Sequence, residues 1–256
     1  MAYRRYVALG DSTTEGLDDP RPGGGYRGWA DRLAECLAVA EPSLLYANLA
    51  VRGRRLPQVH AEQLRPALEL EPDLVTVVAG LNDLLHRRYD PAAMAEELEA
   101  MLTELRASGA TVATFTLPDL STVVPFARFV RPRLDLYNEA ILDIGARTGV
   151  IVMDLASAPV TRDPRSWSAD RLHASTFGHE RIAAGMCEAL SLAGSDGTWA
   201  DPLPARARRG PHAVVAAEVV WVRRHFGPWL VRRARGRSSG DGRLAKAPQL
   251  IPVEVP

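Results

Sequence analysis

The sequence predicts an α/β protein built as a three-layer α/β/α sandwich, with a five-stranded parallel sheet in about the first 195 of its 256 residues. Two observations support this prediction. Short apolar segments alternate with longer segments of helical periodicity, which is the pattern of parallel strands joined by crossover helices. Several of the short segments are apolar at every position, as expected of strands covered by helices on both faces.

The elements follow from these patterns in chain order. The predicted strands are residues 6–9, 44–49, 74–79, 111–116 and 150–155. The predicted helices are residues 29–39, 56–70, 91–108, 133–147 and 176–193. Pro66 predicts a break in the second helix, because proline lacks the N–H that a helix interior requires. Asp90 followed by Pro91 is typical of a helix start, and Gly109 is typical of a helix end.

Residues 196–256 are predicted to form a basic C-terminal extension to a domain of residues 1–195. The whole chain has no net charge, but residues 201–256 contain 11 basic and 4 acidic side chains, a net charge of +7. The extension reads as a linker, an amphipathic helix over residues 212–235 with an interruption at Gly227-Pro228, and a flexible, loop-like end. Two alternatives stay open for this helix: it packs back on the main domain, or it contacts an anionic membrane surface or a partner.

Composition excludes several classes of protein. A hydrophobic fraction of 46% and a charged fraction of 24% are those of a folded globular chain. The acidic balance of residues 1–200 argues against nucleic-acid binding. Cys36 and Cys187 are too far apart for a zinc or redox motif and are predicted to be core residues. The N-terminal segment lacks the apolar stretch of a secretory signal, so we expect a cytoplasmic protein.

The segment from Gly23 to Gly28 matches the pattern G-x-G-x-x-G of dinucleotide-binding proteins. That pattern requires glycines directly after a strand and an acidic residue about 20 residues later. Here the glycines follow a polar loop, and the second predicted strand ends in Asn48-Leu49. We therefore expect no bound nucleotide and no other cofactor.

Small polar residues follow three of the predicted strands, where open parallel sheets bind ligands. The three motifs are Gly10-Asp11-Ser12, the segment 48–53 that ends in Gly53, and Gly80-Leu81-Asn82-Asp83. Ser12 is a candidate nucleophile, although a helix cap or a turn explains the first motif alone equally well. The Asn82 amide and a backbone N–H at Gly53 are the uncharged donors that an ester-cleaving site needs.

The segment Asp170-Arg171-Leu172-His173 precedes the last predicted helix of the domain. A carboxylate three residues before a histidine can accept a hydrogen bond from one imidazole nitrogen, which leaves the other nitrogen to act as a general base. The spacing of His173 and His179 is not that of a metal site, so no metal is expected.

Taken together, these four motifs in this order resemble those of the SGNH hydrolases, the GDSL-like esterases and lipases, over about residues 4–195. The resemblance implies a flavodoxin-like fold with Ser12 as the nucleophile, His173 as general base and acid, and Asp170 as the residue that orients it. It also implies an oxyanion hole made by the backbone N–H groups of Ser12 and Gly53 and the side chain of Asn82. Thr13 and Ala174 depart from residues common in the family and leave these groups in place.

The implied function is hydrolysis of a small-molecule carboxylic ester through an acyl-enzyme. Two alternatives remain: an acyltransferase that uses the same triad, and a non-catalytic binding module on the same fold. The apolar loop 117–133, with Phe126, Phe129 and Val130, is predicted either to pack plainly or to form a lid or a wall for the acyl group.

Overall fold

The computed structural model describes residues 3–86, 88–205 and 210–254. They contain one six-stranded sheet in the order β5-β4-β3-β1-β2-β6. The strands are β1 (Arg5–Gly10), β2 (Leu45–Asn48), β3 (Leu74–Val78), β4 (Thr111–Phe115), β5 (Ile151–Met153) and β6 (Ala247–Pro252). The first five run parallel, which confirms the predicted parallel sheet, whereas β6 pairs antiparallel with β2.

Helices cover both sides of this sheet, as the three-layer prediction requires. The α-helices are α1 (Ser12–Glu15), α2 (Gly28–Ala40), α3 (Leu56–Val59), α4 (Arg65–Glu69), α5 (Leu81–Leu84), α6 (Pro91–Ala107), α7 (Arg131–Thr148), α8 (Thr176–Ala189), α9 (Pro211–Trp221) and α10 (Gly227–Ala234). Segments of π-helix occupy His60–Leu64 and Val222–Phe226. Short 3₁₀ helices occupy Leu120–Thr122, Pro125–Phe129, Pro159–Arg162, Pro164–Ser166 and Thr198–Ala200.

The predicted break at Pro66 does not occur; a π-helical segment precedes the proline instead. The chain stays helical from α3 to α4, and the π-helical segment His60–Leu64 lies directly before the turn that holds the proline. A π-helical turn changes the register of the backbone hydrogen bonds, so the helix can accommodate the missing N–H of Pro66 without ending.

The core lies on both faces of the central strands. All five residues of β3 are buried, and Tyr6 to Leu9 of β1 are fully buried. The Tyr6 hydroxyl, which enters the core with its ring, is paired with Thr76 Oγ1 at 2.8 Å. The continuous apolar segments of the sequence therefore mark strands covered from both sides, as predicted.

Strand β6 corrects the expectation of a five-stranded sheet with a loop-like, flexible end to the chain. Residues 247–252 pair with β2 at its outer edge, from Leu45 opposite Pro252 to Asn48 opposite Ala247. The segment contains Pro248 and Pro252, which disfavour a central strand. At an edge, however, the side of the strand that faces away from the sheet needs no hydrogen-bond donor.

The helices of the extension pack back on the main domain, which is one of the two alternatives left by the sequence. Trp221, at the end of α9, is only 8% exposed. Valines at 214, 215, 219 and 220 remain exposed on α9, so membrane contact through this helix stays a prediction, as does the division at residue 195. None of the described helices combines the length and apolar character needed to cross a membrane.

Lys246, the single lysine of the chain, anchors the extension beside β6. Its ammonium donates to the Arg27 carbonyl at 2.7 Å and to Asp31 Oδ1 at 2.9 Å. Asp31 lies on α2 with its side chain 5% exposed, and it also accepts a hydrogen bond from Tyr46 of β2. One buried carboxylate thus joins the extension, a helix and the sheet.

We expect Lys246→Met to lower the free energy of unfolding by about 1–3 kcal/mol, because the buried Asp31 carboxylate loses a charge-assisted hydrogen bond. Urea denaturation followed by circular dichroism measures the change. Arg243→Met removes a cation from an exposed neighbouring position and should stay within about 0.5 kcal/mol of wild type. Equal stabilities for the two variants would contradict this role of Lys246.

Candidate active site

The first motif forms a sharp turn from β1 into α1. Gly10 ends the strand with φ at +150°, and a side chain there would overlap the Val78 carbonyl, so the position requires glycine. Asp11 caps α1 by accepting a hydrogen bond from the Thr13 N–H at 3.1 Å. Ser12, the first residue of α1, is half-buried at the carboxyl edge of the sheet.

Gln63 holds this turn in place, although no motif in the sequence pointed to it. Its side chain accepts from the Gly10 N–H at 2.8 Å and donates to the Gly10 carbonyl at 2.9 Å. The residue lies in the π-helical segment before Pro66 and is 2% exposed. The only sequence signal was a polar residue in a helix that ends against the sheet, which is too common to identify a site.

Asp170 and His173 meet as the fourth motif predicts. His173 Nδ1 lies 2.7 Å from Asp170 Oδ2, while Asp170 Oδ1 accepts from the backbone N–H groups of Leu172 and His173 at 2.8 and 3.0 Å. Burial raises the pKa of Asp170, but its hydrogen bond and charge interaction with His173 lower this pKa by a larger amount. The net result is a pKa well below the usual value. An ionised carboxylate only accepts hydrogen bonds, so Nδ1 carries the proton and Nε2 is available as a base.

Asp18, which no sequence motif indicated, is a second carboxylate beside this histidine. Its Oδ2 lies 3.9 Å from His173 Nδ1, and the Ser168 hydroxyl contacts both Asp18 and Asp170 at 2.6 and 2.7 Å. Donor atoms of Asp18, Asp170 and His173 all lie within 4.8 Å of one another. Since Nδ1 is hydrogen-bonded to Asp170, this cluster is arranged to stabilise a positively charged imidazole ring.

The balance of these forces sets the protonation of His173. Burial lowers the pKa of its ring, and the hydrogen bond to Asp170 and the charges of Asp170, Asp18 and Asp11 raise it by more. The net result is a pKa above the ordinary value of 6.5. Asp11, the residue before Ser12, is thus among the groups that raise the pKa of the His173 ring.

Ser12 itself has an open hydroxyl in the described part of the chain. No hydrogen bond among those residues uses its Oγ, and none uses the backbone N–H of Ser12 or of Gly53. Hydrogen bonds between a nucleophile and its base are often long in unliganded sites and form when substrate binds. The turn after β1 therefore presents a hydroxyl and one N–H group, and the segment that ends at Gly53 presents a second N–H group, that a ligand could engage.

Asn82, at the start of α5, is held beside the same turn. Its Nδ2 donates to Asp11 Oδ2 and to the Arg54 carbonyl, both at 3.0 Å. Burial raises the pKa of Asp11 to about 6, and the hydrogen bonds from Thr13 and Asn82 counter that rise. Because both N–H bonds of Asn82 are engaged, a ligand must share or replace one of these partners to reach the amide.

The second motif is fixed by an ion pair that the sequence did not reveal. The Arg52 guanidinium contacts the Glu15 carboxylate, which also accepts from the Arg52 backbone N–H at 2.7 Å. Both side chains are at most 12% exposed. This pair joins α1 to the segment that ends at Gly53, whose φ of +76° is accessible mainly to glycine.

Apolar cavities lie beside these motifs. The larger has a volume of about 740 Å³ including its open mouth, and Asp170 and Leu172 form part of its wall. A second of about 410 Å³ is lined by Thr13, next to Ser12, and shares Leu172 with the first. Phe126 and Val130 line the larger cavity, so the loop 117–133 does form a cavity wall, whereas Phe129 is 72% exposed.

The G-x-G-x-x-G match has a structural explanation. Gly23, Gly24 and Gly25 all have positive φ and lie in a loop closed by a bridge between Pro20 and Tyr26. At Gly28 an added side chain would overlap Gly16, so this glycine allows α2 to approach α1 closely. None of them follows a strand directly.

Comparisons with solved structures agree with this architecture. An α/β hydrolase, LAE5, from the metagenome of Lake Arreo superimposes with a TM-score of 0.63 at 20% identity, covering 75% of this chain and 97% of that one. A lipase/acylhydrolase from Enterococcus faecalis gives 0.59 at 24% identity, covering 80% and 100%. An acetylxylan esterase from Geobacillus stearothermophilus gives 0.64 at 17% identity, covering 80% and 97%.

At these identities the structural likenesses establish the fold, and the family comes from the sequence itself. No curated protein sequence is significantly similar to this chain. Residues 8–181 match the model of the GDSL-like lipase/acylhydrolase family, over more than half of the chain. The match confirms the resemblance drawn from the four motifs. This protein therefore belongs to the GDSL-like lipase/acylhydrolase family and is a hydrolase of the esterase type.

Proposed function

We propose that the protein hydrolyses carboxylic esters through an acyl-enzyme formed on Ser12. The observation that carries this proposal is the 2.7 Å contact between His173 Nδ1 and Asp170, in a loop whose Leu172 lines the same cavity as Thr13, the residue after Ser12. It fixes the imidazole with Nε2 as the available base. The proposed reaction uses only protein groups and water, in line with the prediction from sequence that no cofactor takes part.

The reaction begins when Ser12 Oγ attacks the ester carbonyl and His173 Nε2 takes the hydroxyl proton. The imidazolium that forms is stabilised by Asp170, with Asp18 contributing a second negative charge. The imidazolium then protonates the leaving alcohol. A water molecule, activated by the same nitrogen, attacks the acyl group and releases the acid and the free serine.

The negative charge on the carbonyl oxygen is accepted by the backbone N–H groups of Ser12 and Gly53 and by the Asn82 amide. The first two N–H groups have no acceptor among the described residues, which favours this role. The amide of Asn82 must shift one of its bonds, either to Asp11 or to the Arg54 carbonyl, as the oxyanion forms.

Ester hydrolysis should fall as the pH decreases through the pKa of His173, because only the neutral ring accepts the serine proton. That pKa lies above 6.5, so the loss begins at a pH above the value for an ordinary histidine. Asp170→Asn should move the midpoint to lower pH. The pH dependence of kcat/KM for a p-nitrophenyl ester measures both, and a rate that is flat across this range would remove His173 from the role.

Replacing Ser12 or His173 by alanine should abolish nearly all turnover, and the double variant should lose little more, because the two groups act as one unit. Labelling with a fluorophosphonate should disappear in Ser12→Ala. His212→Ala is the control, because it changes an exposed histidine and should retain full activity. His179 is unsuitable as a control, since its ring is buried and hydrogen-bonded to the Leu17 carbonyl. A folded Ser12→Ala enzyme that still reacts with fluorophosphonate contradicts the proposal.

Asn82→Ala should reduce kcat by about 10²–10³, the usual effect of removing one oxyanion donor. The variant also frees Asp11 and the Arg54 carbonyl, so its thermal unfolding is measured alongside. Asn82→Asp retains the size of the side chain but cannot donate when ionised, and it should be at least as impaired. If both variants are folded and turn over at the wild-type rate, Asn82 has no part in the oxyanion hole.

A further inference from the structure

The C-terminal extension, which lies outside the family match, forms part of the walls around the catalytic motifs. Trp221, Phe226 and Trp229 line the apolar cavity of about 740 Å³, opposite Leu81, Leu84 and the loop 117–133. Phe226 packs on Phe126 of that loop with ring centroids 4.8 Å apart. This face of the cavity therefore exists only because the extension folds back.

The extension is also hydrogen-bonded to the loop that carries Asp170, the partner of His173. The Trp221 indole N–H donates to the Asp170 carbonyl at 2.9 Å. Arg171, next in the chain, pairs with Glu218 of α9 at 2.8 Å and lies over the Trp221 ring, 4.7 Å from its centre. These contacts fix the position of the apolar wall relative to the Asp170 loop.

A further pocket, lined mostly by polar residues, shares Trp229 with the aromatic cavity. It measures about 1640 Å³ including its open mouth, and Gly53 and Asn82 are among its lining residues. The loop after α10 forms its outer wall and packs so closely that a side chain at Gly53 would overlap the Ser238 hydroxyl. Gly53 and Asn82, two of the three residues of the proposed oxyanion hole, therefore line a pocket that the extension completes.

Arginines dominate the charge of this pocket. Arg55, Arg232 and Arg237 line it, against the single carboxylate of Asp241. The three arginines are exposed, and none of them forms an ion pair with the described part of the chain. The Arg237 N–H donates to the Arg232 carbonyl at 3.0 Å, which brings the two arginines of the extension together where α10 ends.

We propose that the extension makes this a two-sided site that selects esters of a long acyl chain with a phosphate-bearing alcohol. This inference rests on the proposed function, since the ester carbonyl must lie at Ser12, with Asp170 at the aromatic cavity and Gly53 and Asn82 at the polar pocket. The acyl chain occupies the aromatic cavity, where apolar surface leaves water. The phosphate lies in the pocket of Arg55, Arg232 and Arg237, whose guanidinium groups match phosphate oxygens in pairs.

The test compares two substrates that differ only in the phosphate: decanoyl glycerol phosphate and decanoyl glycerol, both below the concentration at which they form micelles. The wild-type enzyme should prefer the phosphate ester in kcat/KM by about tenfold or more, mainly through KM. Decanoyl coenzyme A, a thioester whose phosphates lie on its nucleotide portion, shows whether a glycerol or a nucleotide source fits better. A preference for either phosphate compound supports the inference.

Arg232→Gln combined with Arg237→Gln should reduce this preference to near unity. Arg223→Gln combined with Arg224→Gln removes the same charge from exposed positions of the extension outside both spaces and should retain the preference. Phe226→Ala should lower the ratio of decanoyl to acetyl ester turnover by about tenfold, with folding checked by thermal unfolding. Equal use of the phosphate and neutral esters by wild type, or an unchanged preference in the first variant, overturns the inference.

Hydrolysis of p-nitrophenyl acetate separates this inference from the proposed function. Wild type that cleaves this small neutral ester through Ser12 but shows no phosphate preference retains the proposed function and loses the two-sided site. Wild type without Ser12-dependent cleavage of any ester overturns both.

Discussion

The site depends on the conformation of one turn, where β1 passes into α1. Gly10 adopts a backbone angle that a side chain would prevent, and its N–H and carbonyl are both bonded to buried Gln63. Asp11 then caps the helix and accepts from Asn82. A buried backbone group left without its partner costs about 1–3 kcal/mol, so these bonds keep the turn in one arrangement. The position of Ser12 is a consequence of that arrangement.

Carboxylates surround the turn in two different electrostatic states. Asp170 is held ionised by its bonds to His173 and to two backbone N–H groups, whereas burial raises the pKa of Asp11 and that of Asp83 to about 6. Asp83 is fixed by the Leu56 N–H at 2.9 Å, which joins the third motif to the helix after the second. The motifs that follow separate strands are therefore tied together by carboxylates bonded to backbone N–H groups rather than by apolar contact alone.

The extension is attached to the domain at two places. Strand β6 and Lys246 attach it to the edge of the sheet and to Asp31, while Trp221 attaches it to the loop of Asp170. Between these two anchors Phe226 packs on Phe126, whereas Val222 and Val231 remain exposed. The aromatic residues of the intervening helices therefore face inward, toward the cavity beside the catalytic motifs.

The sequence by itself determined the parallel sheet, its flanking helices and the family, because apolar strand patterns and short motifs at strand ends are local signals. It also determined the pairing of Asp170 with His173, since three residues suffice to bring them together. The tertiary structure alone decided the contacts of Gln63 with Gly10, of Asp18 with His173 and of Trp221 with the Asp170 carbonyl, which join residues distant in sequence. Strand β6 was also decided by the tertiary structure. Its prolines disfavour a strand locally, and residues 247–252 form one because they pair with the free edge of β2.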